Sequence, residues 1–197
     1  MEPTRRSWAG TALEERRRVR REALLEAGIE LLGAVDRSAS NVRAVCRAAG
    51  LTERYFYESF GDRDKFVRAV YDEVGDRART ALIEAVAGAP PNKRADAAVR
   101  VFVELMVDQP AMGRVLLLAP LREPAIGTSG VELAPQFVTL VREQLPIEDP
   151  EKRHMVAVGL VGALTSLFMG YLEGTIVVPR ETLVQHCVEL VECAGRG

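Results

Sequence analysis

The sequence predicts an all-α protein, and three of its features lead to that class. Apolar residues recur at helical spacing: Val42, Val45 and Ala49, for example, fall at i, i+3 and i+7. Gly and Pro residues, such as the pair Pro90 and Pro91, interrupt these apolar stretches where helices would end. No strand-like alternation of useful length lies between the interruptions, so no sheet is expected.

Composition indicates an ordinary globular protein of one large or two small domains. The 197 residues are 48% hydrophobic and 27% charged, with a net charge of −2 at pH 7. Residues 1–65 carry 13 Lys and Arg against 11 Asp and Glu, and the remainder carries 13 against 17. The slight basic excess of the first third has the sign that nucleic-acid binding requires, but it is too weak to establish a function.

The cysteines and the N-terminus bear on the compartment. Cys46, Cys187 and Cys193 form no CxxC pair, so no disulfide framework is predicted. Cys46 is expected in the core, whereas Cys187 and Cys193 should lie on different sides of one helix. The charged N-terminus lacks the apolar segment of a signal peptide, which favours a cytoplasmic protein.

Basic residues dominate the start of the chain. Met1 to about Leu13 is predicted to be a mobile arm. The basic and aromatic residues at the start of the chain are Arg5, Arg6, Trp8, Arg16, Arg17, Arg18, Arg20 and Arg21. Such residues lie along DNA phosphates or reach into a minor groove. An equally good interpretation is a solvated helix face paired with Glu14, Glu15 and Glu22.

The next stretch has the pattern of two short helices around a tight turn. A helix of about two turns starts near Val42, after Ser40 or Asn41 as its cap, and is followed by Gly50, which readily adopts the left-handed conformation that ends a helix. Thr52 is suited to cap a second short helix from Glu53 to about Ser59. This arrangement is a helix-turn-helix unit, whose second helix enters the major groove of DNA.

The second short helix is unusually aromatic. Four of the eleven Phe, Tyr and Trp residues lie between Tyr55 and Phe60. Phe56 and Phe60 are four residues apart and should face the core. Tyr55 and Tyr57 then project elsewhere, either toward phosphate oxygens or against the rim of the domain.

Four pieces of this region occur in a recognisable order: LLEAGIELL, SNVRAVCRAAGLT, ERYFYESF and GDRDKF. With this spacing, residues 24–66 resemble the N-terminal domain of the TetR family of transcriptional regulators. The sequence departs from the family pattern at Asp36, where Gly is usual, and at Leu32, Arg37 and Arg63. Asp tolerates the left-handed conformation better than most residues. A looser contact between the first helix and the turn is therefore expected.

The resemblance implies an N-terminal three-helix helix-turn-helix DNA-binding domain, residues 1–66, and a C-terminal helical ligand-binding and dimerisation domain, residues 67–197. It also implies a one-component transcriptional regulator, more a repressor than an activator. Such a protein binds a palindromic double-stranded DNA operator as a homodimer and is released by a small-molecule effector. Arg54 is suited to a guanine edge and the other expected contacts to phosphates. The expected DNA contacts are Asn41, Thr52, Arg54, Tyr55, Tyr57 and Arg63.

Further helices follow. The fourth, capped by Gly61 or Asp62, is predicted to end near Val86, and the next two span about Arg94 to Asp108 and Pro110 to Leu118. The stretch from Pro120 to Gly130 is predicted to be a flexible loop. A seventh helix should run from about Val131 to Gln144.

The stretch from Met155 to Leu172 contains 18 residues without a charge, which is long enough to span a membrane. Its many small and polar residues argue against a span, and burial by other helices is the preferred interpretation. A last helix, about Arg180 to Ala194, carries more apolar surface than one small domain needs. The resemblance implies that these two helices form a four-helix bundle in a dimer. The expected dimer contacts are Gly162, Ser166, Gly170, Leu183, Cys187 and Leu190.

A small-molecule pocket is expected among the middle helices, because pockets are mainly apolar with a few polar anchors. Its candidate lining residues are Phe102, Met106, Leu117, Phe137, Phe168 and Met169, each of which is also suited to an ordinary core position.

Catalysis has little support in the sequence. His154 and His186 lie on separate predicted helices without a clear carboxylate or cysteine companion, and known catalytic and nucleotide-binding patterns do not occur. No enzyme, metal or cofactor is therefore predicted, and no membrane partner. Two alternatives to a regulator remain: an all-helical small-molecule-binding protein without sequence-specific DNA recognition, and an enzyme on a helical scaffold.

Overall fold

The computed structural model describes residues 5–35 and 41–195, including the side chains of 13–35, 41–127 and 133–195. Within these ranges every regular element is helical, which confirms the all-α class. The helices are α1 Arg5–Leu32, α2 Val42–Ala48, α3 Glu53–Phe60, α4 Arg63–Gly88, α5 Arg94–Val103, α6 Pro110–Gly113, α7 Gly127–Gln144, α8 Pro150–Leu172 and α9 Arg180–Ala194. Wide π-helical turns extend α5 over Glu104–Asp108 and α6 over Arg114–Leu118.

Two predicted boundaries were wrong. The expected mobile arm is helical from Arg5 onward, so α1 is 28 residues long, and only the first four residues of the arm fall outside the described ranges. The expected loop from Pro120 to Gly130 contains a short helical turn, Pro124–Ile126, and α7 begins at Gly127. Ile126 is fully buried, and this packing orders a stretch that its Pro and Gly content made look like a loop. The unusual residues Asp36 and Arg37 lie outside the described part.

The N-terminal core is built on aromatic packing between α3 and α4. Phe56 is fully buried, and its ring centroid lies 5.7 Å from that of Phe60 and 5.0 Å from that of Phe66. The rings are tilted or edge-on, the geometry that aromatic pairs prefer. Leu24 of α1 and Val45 of α2 belong to the same buried cluster. This cluster fixes the orientation of α3 relative to the other N-terminal helices.

Helices α5, α8 and α9 form a second core around Val103, Phe168 and Cys187, which are each at most 1% exposed. Burial raises the pKa of the Cys187 thiol to about 11, so it behaves as a small apolar residue. As the sequence predicts, Cys193 is on the exposed side of α9 and Cys46 is buried. Arg180 of α9 also binds Asp108 at 2.6 Å.

The two halves are in direct contact at the end of α1. A Cβ atom added to Gly33 would lie 2.3 Å from the carbonyl oxygen of Ala111 in α6. Arg114 donates a hydrogen bond to the Gly33 carbonyl oxygen at 3.3 Å. Helix α4 runs through residue 66 without a break, so the division into domains at that position stays a prediction.

We expect Gly33→Ala to lower the free energy of unfolding by about 1–3 kcal/mol, because the added methyl group meets backbone that cannot rotate away. The measurement is urea unfolding followed by circular dichroism. Gly88→Ala is the matched control, since a Cβ atom there would meet nothing within 4 Å. Equal stability of the two variants would contradict the close approach of α1 and α6.

Candidate DNA-binding surface and internal cavity

The turn between α2 and α3 has the geometry that the sequence predicts. The Asn41 side chain accepts a hydrogen bond from the Ala44 backbone N–H at 3.0 Å and caps α2. Gly50 has φ of 65°, and the Leu51 N–H donates to the Cys46 carbonyl oxygen at 2.8 Å. This hydrogen bond closes the end of α2 in the way that glycine-terminated helices usually end. The chain is thereby turned so that α3 crosses α2.

The outer face of α3 presents three of the predicted DNA contacts to solvent: Thr52, Arg54 and Tyr57. Tyr57 is 50% exposed, with its ring edge-on to buried Phe56 at 5.4 Å between centroids. Thr52 occupies the cap position of α3 but makes no capping hydrogen bond with its side chain. Its hydroxyl is therefore available to another acceptor or donor, such as a phosphate oxygen.

Arg54 is highly exposed but has a partner on its own helix. Its Nε donates to Glu58 Oε1 at 2.8 Å, and this hydrogen bond is the main reason why the pKa of Glu58 lies below its usual value. Nearby Arg17 and Arg20 of α1 lower the pKa of Glu58 further. Glu58 is accordingly ionised at neutral pH and neutralises part of the basic surface.

Tyr55 is not on the open face of α3. It is half-buried, and the guanidinium carbon of Arg20 lies 4.1 Å from its ring centroid. This cation–π contact joins α3 to α1. Tyr55 thus packs α3 against α1, and its direct contact with DNA stays a prediction.

Arg63 has a partner within the chain. Its guanidinium lies 3.3 Å from a carboxylate oxygen of Glu123, a residue only 9% exposed. A phosphate contact by Arg63 stays a prediction, and it would compete with the pairing of the guanidinium to the segment after α6. Sequence reasoning missed Glu123, because the two partners are 60 positions apart in the chain and no local pattern indicates the pairing.

Some arginines of α1 form the solvated, salt-bridged face that the sequence predicts, and contact of this helix with DNA stays a prediction. Arg18 pairs with Glu15 and Glu22, so part of the helix is a solvated, salt-bridged face. Arg21 instead lies over the Phe60 ring at 5.2 Å from its centroid. Arg17, Arg20 and Arg21 thus surround α3 and place positive charge beside it.

A cavity of about 940 Å³ opens among α4 to α9. Five of the six predicted pocket residues line it: Phe102, Leu117, Phe137, Phe168 and Met169. Met106 is completely buried in the N-terminal core and does not line the cavity, so that prediction was wrong. The volume lies at the upper end of the roughly 300–1,000 Å³ of small-molecule sites.

Few polar side chains line this cavity. Arg94, Glu143, Gln144 and Glu192 are exposed and lie where it opens to solvent, and Arg94 reaches Gln144 Oε1 at 3.5 Å. Further inside, Tyr71 of α4 is only 3% exposed. Sequence analysis did not single out Tyr71. The available signal was its helical spacing from apolar neighbours, four positions after Val67 and three before Val74.

Helix α8 leaves an apolar strip uncovered. Met155 is 66% exposed and Val158 is 48% exposed, and a Cβ atom at Gly159 or Gly162 would meet nothing within 4 Å. Within the described ranges α8 is the one helix with the length and hydropathy of a membrane span, criteria that core helices also meet. Only 22% of its apolar window is buried within this chain, so burial of the rest of α8 would need helices of another chain and stays a prediction.

The predicted dimer contacts divide into two groups. Gly162 and Ser166 lie on the uncovered strip of α8, and Leu190 is half-buried. Leu183 and Cys187 are at most 2% exposed in the second core, so their assignment to an open interface was wrong. Gly170 is half-buried, and a Cβ atom there would meet Ile176 of the same chain at 2.9 Å, so its contact with a second chain stays a prediction.

Among the described residues, no group of three or more His, Cys, Asp and Glu side chains is placed to hold a metal ion. His154 and His186 are both exposed.

No protein-family model matches the chain. No curated protein matches it either. Solved structures do match over nearly the whole length. A transcriptional regulator from Rhodococcus sp. RHA1 superposes with a TM-score of 0.75 at 17% identity, covering 90% of this chain and 96% of the other.

Two further matches are described more specifically. The multidrug binding protein EbrR, complexed with imidazole, has a TM-score of 0.63 at 20% identity and covers 87% of this chain and 94% of its own. NalD of Pseudomonas aeruginosa, the secondary repressor of the MexAB-OprM multidrug efflux pump, gives 0.64 at 17% identity over 90% and 96%. Other matches are TetR-family regulators, so the chain has the fold of that family.

The capping geometry predicts unequal effects of two substitutions. We expect Asn41→Ala to lower the free energy of unfolding by about 1 kcal/mol, because it removes a hydrogen bond to an α2 N–H. Thr52→Ala should change it by less than about 0.5 kcal/mol, since no capping bond is lost. Thermal unfolding of both variants is the measurement. A larger loss in Thr52→Ala would show that its hydroxyl stabilises α3 after all.

Proposed function

We propose that this protein is a ligand-responsive transcriptional regulator that binds DNA as a homodimer through α3. The observation that carries the proposal is a helix-turn-helix whose second helix is packed by its phenylalanines and keeps Thr52, Arg54 and Tyr57 on an open face. The same chain encloses a large, mainly apolar cavity. The resemblance of residues 24–66 to TetR-family regulators and the shared fold both support this assignment.

In the proposed complex, α3 lies in the major groove and Arg54 reads a base edge. Arginine binds the O6 and N7 atoms of guanine with two parallel hydrogen bonds. Arg54 must release Glu58 to do so fully, and the freed carboxylate then accepts from a cytosine amino group or faces solvent. Thr52, Tyr57 and the free side-chain amide of Asn41 contact phosphates, and the α1 arginines add sequence-independent attraction.

A second copy of the chain is the proposed cover for the uncovered strip of α8. An exposed apolar strip that includes Met155 and Val158 is a poor surface for an isolated monomer. Small residues at 159, 162 and 166 allow close approach of another helix, and the Ser166 hydroxyl donates to the Gly162 carbonyl oxygen within its own helix. In this dimer two α3 helices would face half-sites about one turn of DNA apart.

The cavity and the DNA-binding half share one segment. Leu117, Pro120 and Leu121 line the cavity, and the chain continues directly to Glu123, which binds Arg63 at the start of α4. Arg68 of α4 also donates to the Ala125 carbonyl oxygen at 3.4 Å. A ligand that moves this segment therefore moves the start of α4, which is three positions after the end of α3. We propose that this movement changes the distance between the two α3 helices of the dimer, so that it no longer matches the distance between the half-sites of the operator.

The remaining parts of the proposal follow the sequence predictions. The protein acts without an enzymatic step, metal or cofactor, in the cytoplasm. Repression rather than activation is supported by analogy with NalD, which is described as a repressor.

We expect specific binding to the DNA upstream of the protein's own gene, measured by fluorescence anisotropy against a scrambled duplex at two salt concentrations. Arg54→Ala should weaken binding about 10- to 100-fold, as loss of a bidentate base contact does. Tyr57→Phe should weaken it less, by about three- to tenfold, because one hydrogen bond is lost.

Two controls distinguish recognition of a base by Arg54 from general electrostatic attraction to DNA. Arg142→Ala removes an arginine from α7 without touching α3, and it should leave affinity unchanged. Because Arg54→Ala frees Glu58 to repel phosphate, the double variant Arg54→Ala/Glu58→Gln should recover only the repulsive part of the loss. Equal weak binding to both duplexes that collapses with salt would instead indicate a helical ligand-binding protein without sequence recognition.

We expect Val158→Glu to convert the protein from two chains to one in analytical ultracentrifugation, because a carboxylate would be buried without a partner at the interface. Circular dichroism should show the helix content unchanged. Gln136→Glu, which adds the same charge to an exposed position on α7, should stay dimeric. A single-chain mass for the unmodified protein would refute the α8 interface.

A further inference from the structure

Tyr71 is the most deeply buried of the polar side chains that line the cavity. Tyr71 lines the cavity and is 3% exposed, and no hydrogen bond to its hydroxyl occurs within the described ranges. Burial, with a smaller contribution from Asp72, raises the pKa of Tyr71 to about 12. The group is therefore a neutral phenol at physiological pH, able both to donate and to accept.

Within the described ranges, Arg79 Nε is the one fully buried side-chain nitrogen or oxygen without a hydrogen-bond partner, so the Tyr71 hydroxyl is not sealed in the core but borders the cavity space. A partner for this hydroxyl must come from that space, as water or as an atom of a ligand. The cavity wall offers little help, because the lining residues around Tyr71 on α6 and α7 are apolar: Leu116, Leu117 and Leu133. A ligand with one hydrogen-bonding atom in this position gains an interaction that the protein alone does not make. Tyr71 thus supplies an anchor point for a polar atom inside an apolar site.

Charged lining residues do not reach the interior. Arg94, Glu143 and Glu192 are all exposed, and they lie at the opening. An ionised group taken deep into the cavity would lose its hydration without meeting an opposite charge, which is costly. The interior therefore favours a neutral molecule over an anion or a cation.

Aromatic side chains form part of the interior wall. The Phe102 ring lies 5.0 Å from the Phe168 ring and 6.4 Å from the Phe137 ring, between centroids. These three rings, from α5, α7 and α8, line the same cavity as Tyr71. Their faces and edges suit the flat surface of a fused-ring or aromatic molecule, which packs well against tilted rings.

We propose that the ligand of this cavity is an uncharged, largely aromatic or fused-ring molecule bearing a hydroxyl or carbonyl oxygen that hydrogen-bonds the Tyr71 hydroxyl. The inference rests on the proposed function in taking this cavity as the effector site. It adds the chemical class of the effector and the residue that distinguishes that class. Because Tyr71 lies on α4, the anchored oxygen also contacts the helix that leads to the DNA-binding surface.

Four fluorescent probes with one ring system test the class: 1-pyrenemethanol, pyrene, 1-pyrenecarboxylate and 1-pyrenemethylammonium. Titration of the purified full chain should give tightest binding for the alcohol. Pyrene should bind about three- to tenfold more weakly, because it lacks the hydrogen bond. Both ions should bind more than about tenfold more weakly than the alcohol.

Tyr71→Phe removes only the hydroxyl and should lower affinity for the alcohol to that for pyrene, while affinity for pyrene stays unchanged. Tyr171→Phe is the matched control, since Tyr171 is on α8 but does not line the cavity. Ala98→Trp fills the cavity and should abolish binding of all four probes. Tightest binding by either ion, equal alcohol affinity in Tyr71→Phe, or no binding of any probe would overturn the proposal.

A separate readout distinguishes the ligand class from the regulatory function. The alcohol is added to the complex with the upstream DNA, and anisotropy reports release. Tyr71-dependent binding with release supports both proposals. Tyr71-dependent binding without release supports the ligand class and contradicts effector-controlled DNA binding. Release by the alcohol that persists in Tyr71→Phe would overturn the role of Tyr71 while leaving the regulator intact.

Discussion

The packing of one continuous helix, α4, against both halves of the molecule is the constraint on which the rest depends. Near its start, Phe66 and Val70 are at most 2% exposed and pack with the α3 phenylalanines and α1. Further along, Leu82 and Val86 line the cavity. A close-packed interior transmits displacement rather than absorbing it. The position of α3 therefore cannot be separated from the shape of the cavity wall.

Ion pairs at the two ends of this region differ in burial and therefore in how easily they exchange partners. An exposed pair such as Arg54–Glu58 adds little stability and exchanges readily for another partner, which suits a surface that must meet DNA. The Arg63–Glu123 pair differs, because Glu123 is largely buried and loses much if its partner leaves. Arg54 and Arg63, nine positions apart, thus differ in role: Arg54 forms an exchangeable pair on the exposed face of α3, and Arg63 forms a partly buried pair between the halves.

The elements of the fold were predictable because each carries a local signal. Asn41, Gly50 and the pattern Phe56 to Phe60 specify caps, a turn and an inward face within a few residues. Signals that depend on distant residues were not predictable. The partner of Arg63 lies 60 positions away. The burial of Cys187 depends on α5 and α8, and the same apolar stripe on an isolated helix would equally suit a dimer interface.

The residues that line the cavity were likewise only partly predictable from the sequence. Position along the helices identified five of its lining residues, because inward apolar residues of the middle helices converge there. Met106 is apolar like these residues, but it lies in the π-helical turn Glu104–Asp108 and packs into the N-terminal core. Tyr71 is inward on α4 like its neighbours, and only the structure shows that it lines the cavity. A ligand atom that hydrogen-bonds the Tyr71 hydroxyl would contact α4, the helix shared by both halves, and would therefore act on the element that leads to α3.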